Sequence, residues 1–362
     1  VSEHSLQDFV TYPYGSAEQA HSIPYGGSFY VVLEKDVLTS TGRFGRAMRQ
    51  VRCAVKTDSL LTSAVYAATD ADTGVVLSVG SKIIGDVLIN ASHAHAVNLG
   101  PQAVITGDLL VGPGGDPYEV IDTKDKDGKI NSVKGKVGNI EAIQRFELPE
   151  YPSFPTSLPD RGAFDGRARI DASGHYSKME VKNPLVFDLT QGDLHIHTSS
   201  LNVGADITLE GSHRLWLYVD DQFNMTGNSS VNKDGDPNAI IMYYSGTEGL
   251  EPSGNTQFVG CVYAKTADVK LSGNVGIIGS VVTGGKSVTL QGCTSAVVRV
   301  IYAPHARVEV TGNSHLQGAV VAKTIEMGGN TQIEYASHDE FEELFPGMHG
   351  TGIVSFSNWR AL

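Results

Sequence analysis

Four stretches, VYAKTADVKLSGN (262–274), VVTGGKSVTLQGC (281–293), VIYAPHARVEVTGN (300–313) and VVAKTIEMGGN (320–330), align on one another, each closing at a glycine corner. Including the corner before them, Gly254, Gly273, Gly292, Gly312 and Gly329 lie 19, 19, 20 and 17 residues apart. A second glycine follows six residues after three of them, at Gly260, Gly279 and Gly318. Between corners, aliphatic residues alternate with polar ones over runs too short for a helix (Val269, Leu271; Val288, Leu290; Val308, Val310). Alternation with period two puts such residues on one face of a strand. Glycine and asparagine supply the positive φ that a tight corner needs.

About 19 residues per repeat, holding two or three short strands, is the length of one turn of a parallel β-solenoid, each turn stacked about 4.8 Å above the last. The fold expected is therefore all-β, a parallel solenoid. Asn255, Asn274, Asn313 and Asn330 then fall in register at one corner, where an asparagine ladder satisfies backbone groups. Val269, Leu271, Val288, Leu290, Val308, Val310 and Ile325 are expected to point inward as aliphatic stacks.

The same grammar occurs earlier, in residues 76–114, where IIGDVL and ITGDLL carry Gly85 and Gly107, 22 residues apart. The resulting plan has an N-terminal interaction region (1–66), a first solenoid block (67–112), a glycine- and proline-rich excursion or linker (113–185), the main solenoid (186–335) and a C-terminal cap (336–362). In the first region SFYVVLEKDV and RQVRCAVKTD alternate as two strands joined by STGRFG. In the excursion, the four prolines of LPEYPSFPTSLPD bar both helix and central strand. SHDEFEELF (337–345) predicts a short acidic helix, N-capped by Ser337 or Asp339, placed to plug an open end of the stack.

The chain has 362 residues, 41% of them hydrophobic and 19% charged, so disorder throughout is excluded. With 27 Lys+Arg against 40 Asp+Glu the net charge is −13, and no cationic run offsets it. Nucleic acid is thus not an expected partner, since that affinity rests on neutralising phosphates. No run of about 18 to 20 apolar residues is present to span a bilayer. Because the chain starts at Val1, a targeting or anchoring segment upstream is expected to have been removed.

Two His-x-His pairs, His93/His95 and His195/His197, are the candidate zinc ligands, because positions i and i+2 of a strand share a face; Asp86 or Asp193 is the candidate third ligand. Asp220, Asp221, Asp234 and Asp236 form the densest carboxylate group, suited to calcium or to paired acid–base chemistry on a polysaccharide, or simply to a solvated loop. DTKDKDGKI (122–130) departs from a calcium loop at its first and last ligand positions. No cofactor is expected; zinc or calcium is the ion to test. GxSxG and GxxxxGK[ST] are absent. Cys261 and Cys293 fall two turns apart, about 10 Å, too far for a disulfide, and Cys53 has no partner. Asn90, Asn224 and Asn228 head glycosylation sequons.

STGRFGRAMRQVRCAVK, IIGDVLI, ITGDLLVGPGGDP, ELPEYPSFP, LWLYVDDQFNMTGNSSVN, VYAKTADVKLSGN and VIYAPHARVEVTGNSHLQGAVVAKTIEMGGNTQIEY together resemble PilX-like type IV pilus assembly proteins of bacteria. The resemblance implies that residues 1–66 are pilin-like and that a class III-type signal and one hydrophobic helix precede the folded region. It also implies passage through the periplasm to the cell surface or exterior, with membrane attachment only through that anchor. The turn motifs are also similar to bactofilins. The expected function is a non-catalytic structural or interaction protein, pilus-associated or part of another surface filament. Its expected partners are copies of itself or pilus subunits, with a surface glycan or protein as candidate ligand. Tyr12, Tyr14 and Tyr25 are the candidate contacts, since exposed tyrosines favour interfaces. A bactofilin-like self-polymerising solenoid and a β-helix hydrolase or lyase are the competing readings.

Overall fold

The computed structural model describes residues 20–23, 26–34, 37–56, 61–70, 73–123, 132–272, 276–292, 298–337, 340–345 and 355–361. The chain divides into two units, residues 1–60 with 349–362, and residues 61–348. The first is an antiparallel sheet in the order His21–Ile23, Gly27–Glu34, Val37–Phe44, Ala47–Lys56, Ser355–Ala361. Two expectations are corrected here. STGRFG is mostly strand: Ser40 to Phe44 pair with Ala47 to Val51 across a turn at Gly45 and Arg46. The last strand completes this N-terminal sheet and so does not belong to a solenoid cap.

The second unit is a parallel β-solenoid of about 11 turns, as the repeat predicts. Each complete turn has three short strands, so equivalent residues stack in columns. On one face Val262, Val281, Ile301, Val320, Val65, Val87, Leu109 and Val137 are paired in succession. On the next, Val269, Val288, Val308, Ile325, Val75, Val97 and Ile121 follow one another. Leu316, Ile333, Ile83 and Ile105 do so on the third. All seven residues expected in the core are at most 3% exposed.

The corner glycines stack as well. Gly254, Gly292, Gly312 and Gly329 have φ between 69° and 89°. A Cβ on Gly312 would lie 2.9 Å from Gly292 Cα, so neither the torsion nor the space admits a side chain. Asn255 Nδ2 donates to Asn228 Oδ1 of the preceding turn at 3.0 Å. Gly273 and Asn274 lie outside the described residues. Aspartates supply further links: Asp86, Asp108, Asp193, Asp206 and Asp268 each accept a backbone N–H from the following turn, at 2.7–2.9 Å. Part of the acidic excess is thereby structural.

The order of turns in space is not their order in sequence. The strand Ala319–Met327 pairs with Val65–Ala67 and Val75–Leu77, and Gln332–Glu334 pairs with Lys82–Ile84. The last C-terminal turn is therefore followed by the first N-terminal one, and the two blocks form one stack. Turn strands also occupy much of the expected excursion, at Ile121–Thr123, Val137–Asn139, Arg169–Ile170, Gly174–Tyr176 and Met179–Val181. The helix Glu340–Leu344 packs against a flank, with Phe341 6.1 Å from Tyr302 and Phe345 6.1 Å from Tyr263. It plugs no end, because its apolar side chains find aromatic surface on the flank. Among the described residues, no helix is long and apolar enough to cross a membrane.

Candidate functional site

Strand alternation that turns Val262 and Ile301 inward turns Tyr263 and Tyr302 outward. Stacking then gathers His175, His197, Tyr218, Tyr243, Tyr263, Val282, Tyr302, Val321 and Tyr66 into one column along the flank. Beside it, Trp216 pairs with His195. The rings stack turn on turn: His195 and Trp216 are 5.9 Å apart at 4°, Trp216 and Tyr243 6.3 Å at 5°, and Tyr218 and Tyr243 5.7 Å at 15°.

A strap covers this column. Residues 140–159 leave the turn that ends at Val137–Asn139 and reach the opposite end of the stack, where Asp160 bridges to His175 and Ala163 to Lys178. Along the way Gln144 N–H donates to Asn90 Oδ1, and Phe146 meets Tyr66 at 5.3 Å. Tyr302 donates to the Glu147 carbonyl at 2.7 Å and Tyr263 to the Pro149 carbonyl at 2.5 Å. Tyr151 meets Tyr263 at 5.1 Å and Phe154 meets Tyr218 at 5.1 Å. Pro149, Pro152, Pro155 and Pro159 have no N–H to offer a ladder. Apart from the Gln144 N–H, the strap's bonds to the column named here run through its carbonyls and rings, as an extended return path. Burial pushes the Tyr243 and Tyr263 hydroxyls up to about 12, and raises Tyr151, Tyr218 and Tyr302 as well.

His195 and His197 share the outward face, as expected of i and i+2. His197 Nε2 sits 3.0 Å from Asp220 Oδ2, and His195 Nδ1 3.1 Å from the Tyr218 hydroxyl. Asp193 joins neither: it accepts from Arg214 N–H at 2.9 Å and Trp216 Nε1 at 3.1 Å, and the Arg214 bond leads in lowering its pKa. His93 and His95 lie in a corner loop, with His95 at φ 62°, so the strand rule does not apply to them. His95 Nδ1 is 3.8 Å from Asp122. Among the described residues no group of three or more His, Cys, Asp or Glu is placed to hold a metal.

The aspartates of the 220–236 stretch have separate employments. Asp220 faces His197, Asp221 is exposed, and Asp236 caps the short turn Pro237–Ala239 by accepting from Asn238 N–H. Tyr12, Tyr14, Tyr25 and Cys293 lie outside the described residues. Cys261 is buried with a free thiol whose pKa burial raises. Asn90 is buried and donates to the Ala68 and Gln144 carbonyls, which removes it as a glycan acceptor in the folded chain. The ring column itself escaped sequence reasoning, although VYA (65–67), VYA (262–264) and IYA (301–303) repeat its signature, an outward tyrosine between inward aliphatics.

Residues 120–295 and 284–340 match a family model described as Domain of unknown function (DUF7305). The chain belongs to that family. No curated protein matches it. Among solved structures this DUF7305 chain is similar to the competence-associated pilin ComZ from Thermus thermophilus, at 13% identity over 96% of this chain and 85% of that one, with a TM-score of 0.28. It is also similar to an ice binding protein from an Antarctic bacterium, Flavobacteriaceae, at 11% identity over 79% of this chain and 49% of that one, TM-score 0.24. A third likeness, to an ice binding protein from an Antarctic Biological Consortium, has 12% identity over 77% and 90% of the two chains and a TM-score of 0.23. Likenesses this distant carry no argument about the role of the DUF7305 chain.

Proposed function

We propose that this chain is a non-catalytic, rigid element of a bacterial surface structure, a pilus-associated component that displays its solenoid to the exterior. The observation that carries this reading is the lengthwise clamp: a continuous stack of turns whose aromatic flank is strapped along its length by the same chain. Repeat stacks derive stiffness from each interface between turns, and a strap bridging many turns opposes their separation. The first and last strands of the stack lie in adjacent turns, and the Tyr335 hydroxyl donates to the Leu61 carbonyl at 2.7 Å.

End-to-end polymerisation, the bactofilin-like alternative, has less support. The turn at one end of the stack contains Pro159, Gly162 and Gly166 and an Asp165–Arg167 ion pair at 2.8 Å, devices that blunt a strand edge. The test is to probe sheared surface filaments of the source bacterium with antibody against the solenoid, alongside a glycan-turnover screen of the purified chain. Co-purification with filaments and no turnover supports the reading. Absence from every surface fraction refutes it, and turnover abolished by Asp220→Asn with Asp221→Asn replaces it with the enzyme.

A further inference from the structure

The hairpin of Val37–Phe44 and Ala47–Lys56 ends at a two-residue turn, Gly45 and Arg46. Although the whole chain stands at −13, residues 37–57 hold Arg43, Arg46, Arg49, Arg52 and Lys56 and no carboxylate. The four arginines are exposed, and among the described residues none of them has a carboxylate partner. Exposed with them are Phe44 at 62% and Met48 at 55%, and Ile23 at 43%. Strand register gathers these groups at one end of the sheet. Phe44 pairs with Ala47 and Gly27, Arg43 with Met48, and Gly42 with Arg49, so the three rows span about 7 Å at ~3.4 Å per residue. A Cβ on Gly27 would lie 2.8 Å from Ile23 Cδ1, so the Ile23 side chain reaches over Gly27 in the row of Phe44. Successive rows face opposite ways, which puts Phe44 on one face of the sheet and Met48 on the other. Apolar groups clustered at an exposed tip mark a contact surface, whereas scattered single ones do not.

We propose that this hairpin tip docks on an anionic lipid surface, Phe44 and Met48 entering the headgroup boundary and Arg43, Arg46 and Arg49 pairing with lipid phosphates. An acidic protein, including the acidic solenoid of a second copy, would match the arginines. A protein surface laid against one face of the sheet, however, leaves the apolar side chain of the other face in water. A bilayer boundary is fluid and closes around both faces of the tip. Arginine suits the rows behind it, since its aliphatic stem runs along apolar groups while its guanidinium stays among phosphates. The negative charge of the rest of the chain does not bar the approach, because charges more than about 10 Å from the surface are largely screened at ~0.1 M salt. The contact is separate from the pilus reading and additional to any anchor, since it is measured on the isolated chain.

The experiment is co-sedimentation of the full chain with vesicles of equal parts phosphatidylglycerol and phosphatidylcholine, compared with pure phosphatidylcholine vesicles and with binding of an oligothymidylate. The expected result is binding to the anionic vesicles that falls as salt rises, with none to phosphatidylcholine alone. Arg46→Gln with Arg49→Gln should weaken it about thirtyfold, the loss of two basic contacts with an anionic surface. Phe44→Ser with Met48→Ser should weaken it at least about tenfold with every arginine in place, an effect that adsorption by charge alone would not show. Lys182→Gln, in the solenoid, should leave it unchanged. Each variant is checked for an unchanged melting temperature, and Arg46→Gln alone, confined to the turn and expected to cost about fivefold, serves where a double variant fails to fold. No binding to the anionic vesicles, equal binding by either double variant, a comparable loss with Lys182→Gln, tighter binding of the oligothymidylate, or self-association of the chain that the arginine variant abolishes would each overturn the proposal.

Discussion

Val75 sits where the N-terminal turns join the C-terminal ones, stacked between Ile325 and Val97 and 0% exposed. Val75→Ala removes two methyl groups, about 1.6 kcal/mol of transfer free energy. The ~50 Å³ void left behind adds about 1 kcal/mol at ~24 cal/mol per Å³. The expected destabilisation is therefore about 3 kcal/mol, or roughly a hundredfold in a local opening equilibrium, since about 1.4 kcal/mol is tenfold. Because each turn of a solenoid contacts only its neighbours, the loss stays near its origin. Native-state hydrogen exchange should show amides between Val65 and Val111, and those of Ala319–Met327, exchanging about a hundredfold faster, while Leu194–Val219 changes by less than about threefold. Equal acceleration through the whole stack would refute the nearest-neighbour reasoning. No change in Ala319–Met327 would refute the junction between the two blocks.

Val308→Asp places a carboxylate between Val288 and Ile325 with no partner, which costs several kcal/mol; an unchanged melting temperature would remove Val308 from the core. Tyr263→Phe deletes the hydroxyl that holds the Pro149 carbonyl and should cost about 1 kcal/mol, seen as faster proteolytic cutting of residues 140–159, with no change in cutting as the contrary result. Tyr243 and Tyr263 are raised from 10.0 to about 12, so the folded state holds their protons longer than the unfolded chain. That stability is complete below pH 10 and is lost as pH rises toward 12, so thermal melts should fall steeply across this window while tyrosinate absorbance appears cooperatively. Asp188, held down by the Thr190 hydroxyl and then by Arg169, and Glu180, held down by Lys178 and then Lys182, each lie at about 2. Their contribution is present above the ordinary carboxylate range and lost as pH falls from about 4.5 to 2, so a melting temperature flat across that interval would contradict the ion pairs.

The solenoid was legible in the sequence because the turns restate the same local constraint: a left-handed corner that favours glycine, then an aliphatic that must point inward. Gly254, Gly292, Gly312 and Gly329 and the seven core aliphatics were placed by that constraint alone. The partner of each turn was not legible, because turns of the same grammar are interchangeable as ladder partners and nothing within Ala319–Met327 selects Val65–Ala67, more than 250 residues earlier, over any other turn. The order of the stack follows from which ladder edges remain open once neighbours in sequence have paired, a property of the assembled fold. The strap illustrates the same division: its prolines excluded it from helix and sheet, but only the stacked column of Tyr218, Tyr243, Tyr263 and Tyr302 gave it a surface to lie on.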